Sequence, residues 1–156
     1  MTHTNRIALA AVPNAVRDAR DFVALVLRHQ QRDALGDAAT LVVSELVTNA
    51  LRASTDAGPA ALADGSFDEP GLSAQIIVQP NAVRLSVRDP SPRLPHLSAP
   101  DRDAEHGRGL LLVQALTSRW GVYRLPTGGK VVWAELTTSP ITTGVSCDES
   151  HVGLTG

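Results

Sequence analysis

The chain is short of several things. Of its 156 residues one is cysteine, Cys147, and one is lysine, Lys130; aromatics make up 3%, and the 14 Lys+Arg nearly balance the 16 Asp+Glu. A lone cysteine forms no internal disulfide, which fits a reducing compartment, and Cys147 reads as a tolerated thiol. With so few aromatics, the core has to be built from Val, Leu and Ala. Without a basic excess, the chain lacks the electrostatic footprint of a general nucleic-acid or membrane binder. The apolar run Ile7–Val12 is stopped by Pro13. It is too short for a secretory segment, and no other run reads as a bilayer span. The expectation is a soluble, cytoplasmic protein without a direct nucleic-acid or membrane partner.

What is present is one domain's worth of chain, 43% hydrophobic. Residues 14–30 repeat apolar side chains at helical steps (Val16, Ala19, Val23, Val26, Leu27), with Pro13 and Asn14 as start signals. Residues 6–11 read as a short edge strand. A second helix is expected over 38–54, with Asp37 as its cap, and a Gly/Pro-punctuated loop over 55–73. Strands follow at 74–80 and 82–89, turning at Pro80-Asn81; in the second, Val83, Leu85 and Val87 alternate with Arg84, Ser86 and Arg88. Residues 90–108 are rich in proline and charge, and a loop of that length is usually functional or disordered. A helix over 109–119 and a closing hairpin, "GVYRLP" and "GKVVWAEL", complete the pattern. Helices and antiparallel hairpins segregate along the chain, which points to an α+β two-layer sandwich. We divide it into an N-terminal segment 1–12, a domain 13–137 with a lid at about 90–108, and a tail 138–156 expected to be disordered.

Three stretches carry candidate chemistry. In "SELVTNALR", residues 44–52, Val42, Val43, Leu46, Val47, Ala50, Ala53 and Ser54 gather on one side of the helical wheel. Ser44, Glu45, Thr48, Asn49 and Arg52 gather on the other. Periodicity alone makes this an amphipathic helix with a solvated polar face. Asn is a poor mid-helix residue, however, and here it lies one turn from a carboxylate. A carboxylate can serve as general base, and an amide oxygen can ligate a hard cation such as Mg²⁺ that is shared with phosphate. Asp89, ending a strand before Pro-Ser-Pro, is either a turn former or a buried acceptor for an exocyclic amine. In His106-Gly107-Arg108-Gly109, glycines open a helix, where backbone N–H groups and the dipole favour an anion; the alternative is a flexible helix entry. A dinucleotide fingerprint is excluded because residue 112 is Leu and no strand precedes the glycines. A phosphate-binding P-loop is excluded because the only lysine, Lys130, sits inside a strand pattern. The five histidines show no metal-ligand spacing.

In combination, "SELVTNALRAS", "DPSPRLP" and "GRGLLLVQALTSRWGV" with "GKVVWAEL" resemble the nucleotide boxes of the GHKL ATPase superfamily. The nearest likeness is to small actinobacterial anti-sigma-factor serine/threonine kinases, over about residues 13–137. This resemblance implies a Bergerat-type sandwich with helices on one face of a mixed, largely antiparallel sheet, and ATP between the helices and the lid. It implies Glu45 as general base, Asn49 as the Mg²⁺ ligand and Asp89 as the acceptor for the adenine amine. Gly107, Arg108 and Gly109 would close on the phosphates. Partners would be a sigma factor and an antagonist protein phosphorylated on Ser or Thr, with dimerisation common. Arg93 and Arg102 are further lid cations. Two departures stand out: Pro90-Ser91-Pro92-Arg93 replaces the glycines after the Asp, and Val131 stands where a Thr usually lies near adenine. They support an alternative, a non-catalytic partner-binding module on the same fold. A third reading, the catalytic half of a histidine kinase, finds no Glu or Pro pattern around His29.

Overall fold

A computed structural model describes residues 1–57, 71–91, 108–126 and 128–138. The expected order of elements is present. Strand β1 (His3–Leu9) leads into helix α1 (Asn14–His29), then a 3-10 turn (Asp33–Leu35) and helix α2 (Gly36–Ala57). Strands β2 (Leu72–Val78) and β3 (Ala82–Asp89), helix α3 (Arg108–Leu116), and strands β4 (Arg119–Arg124) and β5 (Lys130–Thr137) follow. The five strands lie in the order β1-β2-β3-β5-β4. All four pairings are antiparallel, so the sheet is more uniform than the mixed one the resemblance implies. The architecture is the expected α+β sandwich.

Alternation sorts the sheet into two faces. Leu72, Ala74, Ile76 and Val78 of β2, Val83, Leu85 and Val87 of β3, and Val132, Ala134 and Leu136 of β5 are buried in one core cluster. The helices meet them with Ala15, Ala19, Val23, Val26 and Leu27 of α1, and Val42, Val43, Leu46, Val47 and Ala50 of α2. Each fully buried Leu, Ile or Val contributes about 1.5–3 kcal/mol of transfer free energy, which is how a core so poor in aromatics holds. By length and by a mean hydropathy of 1.2 over its most apolar window, the α2 region could cross a bilayer. The expectation that no run could do so is therefore too strong on composition alone; in this structure its apolar side packs into the core.

Polar side chains on the other face close it. The Arg84 guanidinium lies 4.5 Å from the Trp133 ring centroid, and Arg119 lies 5.9 Å from it. Both arginines also bond Glu135. Beneath the ring is Gly121, where a Cβ would come within 2.9 Å of the indole.

Several boundaries differ from expectation for local reasons. The first strand starts earlier because His3 already pairs with Val78. Asp37 is not a cap: α2 begins at Gly36, straight off the 3-10 turn, and Asp37 lies in the first turn, where its charge meets the positive dipole end. That helix also continues to Ala57. The α3 helix stops at Leu116, not 119, because Ser118 N–H already donates to the Glu135 carbonyl at 2.8 Å. The α1 helix ends with Gln31 in the left-handed region (φ 57°), a position glycine usually fills. Arg32 then donates to the carbonyls of Gln79 and Pro80, tying that turn to the β2–β3 hairpin. Residues 58–70, 92–107 and 139–156, hence most of the expected loop, lid and tail, lie outside the described residues.

Candidate functional site

Helix α2 supplies the first two side chains. Its polar border is tolerated because hydroxyls fold back on the helix: Thr40, Ser44 and Thr48 donate to the carbonyls of Gly36, Thr40 and Ser44 at 2.6–2.8 Å. Glu45 and Asn49, on the same border, have no such bond among the described residues. Both are half-buried. Asn49 Nδ2 is buried without a hydrogen-bond partner in the described structure. An unpaired buried amide N–H costs about 1–3 kcal/mol, so Asn49 is a candidate contact for a ligand.

Glu45 is placed by α3. A Cβ on Gly109 would overlap Glu45 Oε2, so glycine lets the first turn of α3 meet the carboxylate without displacing it. The carboxylate thus lies at the positive end of the α3 dipole. Arg108 is the first residue of that helix; its side chain, and Gly107, Arg93 and Arg102 altogether, lie outside the described residues.

Asp89 ends β3 on the helix side of the sheet and is 1% exposed. Its Oδ1 accepts the Ser91 N–H at 2.8 Å, an Asx-type turn, and the Lys130 ammonium at 3.0 Å. Lys130, itself 3% exposed, also donates to the Ser91 carbonyl at 3.3 Å. Burial pushes the Asp89 carboxyl above its ordinary value; the Lys130 charge and its hydrogen bond, and then the Ser91 N–H, pull it back only in part. Oδ2 is buried and unpaired among the described residues. Gly129, with a φ of +81°, runs close beside this segment: a Cβ there would meet the Asp89 carbonyl and Pro90 Cα. Ser54 Oγ, on the apolar side of α2, is a third buried unpaired atom; nothing in the structure gives it a role.

The β3–β5 register corrects one expectation. Asp89 pairs with Lys130, whereas Val131 pairs with Arg88 and faces the other side of the sheet. There Val131 lines a shallow groove with Arg6, Gln75, Arg88 and Tyr123. The residue beside Asp89 is therefore Lys130, which the sequence reading passed over. Its signal was available: the chain's only lysine stands inside an apolar strand.

No group of three or more His, Cys, Asp or Glu fit to hold a metal exists among the described residues. A Mg²⁺ held mainly by water and phosphate needs only one or two protein ligands, so Asn49 suffices for that ion. The orphaned Asn49 amide and Asp89 Oδ2 fit a ligand carrying phosphates at one end and an amine at the other. No curated protein matches the chain. A family model described as a histidine kinase-like ATPase domain matches residues 9–136, nearly the whole described fold. The chain belongs to the histidine kinase-like ATPase domain family.

Proposed function

We propose that the protein binds Mg-ATP and transfers its γ-phosphoryl group to a Ser or Thr hydroxyl of an antagonist protein. We further propose that it sequesters a sigma factor, as a homodimer in the cytoplasm. One observation carries the nucleotide reading: two buried polar atoms, Asn49 Nδ2 on α2 and Asp89 Oδ2 on β3, have no hydrogen-bond partner among the described residues on the helix side of the sheet. ATP with its Mg²⁺ supplies the phosphoryl group. Asn49 would hold the ion with its amide oxygen and meet a phosphate oxygen with its N–H. Asp89 Oδ2 would accept from the adenine amine. Glu45 makes no hydrogen bond or ion pair among the described residues, so its carboxylate is free to take the proton of the attacking hydroxyl. The kinase and sigma-factor roles rest on the resemblance of the sequence boxes.

Calorimetric titration with Mg-ATP tests the first step: binding is expected for the wild type and is lost in Asn49→Ala. Transfer to an antagonist is expected to fall on the order of a hundredfold or more in Glu45→Ala, the usual contribution of a general base. Undiminished transfer by Glu45→Ala would remove that role. One feature favours the second reading, a non-catalytic binding module: Lys130 already neutralises Asp89. Absence of heat at millimolar Mg-ATP, with partner capture intact, would select it.

A further inference from the structure

The Lys130–Asp89 pair is expensive to bury and incompletely satisfied. An ammonium has three N–H donors. Two of those on Lys130 are taken, by Asp89 Oδ1 at 3.0 Å and the Ser91 carbonyl at 3.3 Å. The third has no acceptor among the described residues, although the side chain is 3% exposed. Beside it, Asp89 Oδ2 is an acceptor without a donor among the described residues. The cross-strand register Asp89↔Lys130 sets the two groups side by side, and Gly129 leaves no room for a side chain next to the Asp89 carbonyl. A buried structural ion pair normally has its remaining hydrogen-bonding capacity filled by the protein. Among the described residues this one has one open acceptor and one open donor, on the side of the sheet that carries Asn49.

We propose that Lys130 is a specificity-determining residue for the nucleobase: its open N–H donates to ring N1 of adenine while Asp89 Oδ2 accepts from the 6-amine. This rests on the ATP reading above and deepens it. The adenine edge presents an amine donor next to a ring-nitrogen acceptor, the complement of the open pair. A hydroxyl or water at this position would offer a neutral donor; Lys130 makes it a charged one, which is stronger and depends more on the acceptor being present.

The test compares Mg-ATP with the Mg complex of 1-deazaadenosine triphosphate by calorimetry on the full wild-type chain. The analogue keeps the 6-amine and replaces N1 by C–H. Removing one hydrogen bond to a charged donor is expected to weaken binding on the order of tenfold to a hundredfold. In Lys130→Met, checked for folding by circular dichroism, the two ligands are expected to bind alike. That variant leaves Asp89 buried without its partner and can fail to fold; the wild-type comparison then decides by itself. Equal affinity of the wild type for both ligands overturns the role of Lys130 while leaving ATP binding intact. Binding of neither overturns the nucleotide reading and this proposal together. Tighter binding of GTP than of ATP also overturns it, because guanine presents the opposite order of donor and acceptor.

Discussion

Replacing Gly109 by alanine tests the contact that places Glu45 against α3. The new Cβ would overlap Glu45 Oε2 and lie 3.4 Å from its Cδ. The overlapped atom is the far end of a flexible side chain, so relief comes from an off-rotamer shift at Glu45 costing about 0.5–1.5 kcal/mol. Alanine in place of glycine within a helix returns up to about 1 kcal/mol. The two terms nearly cancel, and Gly109→Ala should move the unfolding free energy by less than about 1 kcal/mol. In a Glu45→Ala background the overlap is gone, and the same substitution should stabilise by up to about 1 kcal/mol. The expected coupling is about 0.5–1.5 kcal/mol, readable by urea denaturation of the four proteins of the double-mutant cycle. A coupling within error of zero would refute the claim that residue 109 is glycine because of Glu45. If the proposed kinase activity holds, with Glu45 as its base, Gly109→Ala should also lower turnover without a matching loss of stability.

Three further outcomes are expected. Gly129→Ala should destabilise by about 2 kcal/mol or more in urea melts, since a left-handed backbone and a contact with main-chain atoms leave no side chain to yield. Asn49→Ala should leave the free protein as stable or up to about 0.7 kcal/mol more stable, because the amide nitrogen has no partner to lose among the described residues and alanine favours helix. The thermal shift produced by Mg-ATP should vanish in the same variant; a clear loss of stability without nucleotide would instead make the amide structural. Glu135 gives a pH signature. Burial raises its carboxyl, but hydrogen bonds from Arg119 and Arg84 and their charges outweigh this and hold it below its ordinary value of 4.5. Its contribution is therefore complete above the unfolded-state value and lost as pH falls through the lower folded one. Glu135→Gln should flatten the acid side of the stability–pH curve, and an unchanged acid limb would count against the paired geometry.

Much of this protein is legible without a structure. The three- and four-residue spacing of α1, the strict alternation of β3 and the Pro80-Asn81 turn follow from local geometry alone, because helix and strand periods are properties of the backbone. The polar border of α2 is equally local: Glu45 and Asn49 share a face because they are one turn apart. Element ends are less legible. The α3 terminus is decided by Ser118 pairing with Glu135, seventeen positions along the chain. The start of β1 is decided by Val78.

The sequence by itself determined the architecture and the candidates on α2. Each of these is written in short-range patterns that burial reads directly. Only the tertiary structure decided who stands next to whom. It set Gly109 against Glu45, moved the position beside Asp89 from Val131 to Lys130, and left Asp89 Oδ2 and Asn49 Nδ2 buried without partners among the described residues. A register shift of one residue exchanges the two faces of a strand. One strand's sequence is compatible with either register, and pairing with the neighbouring strand decides between them.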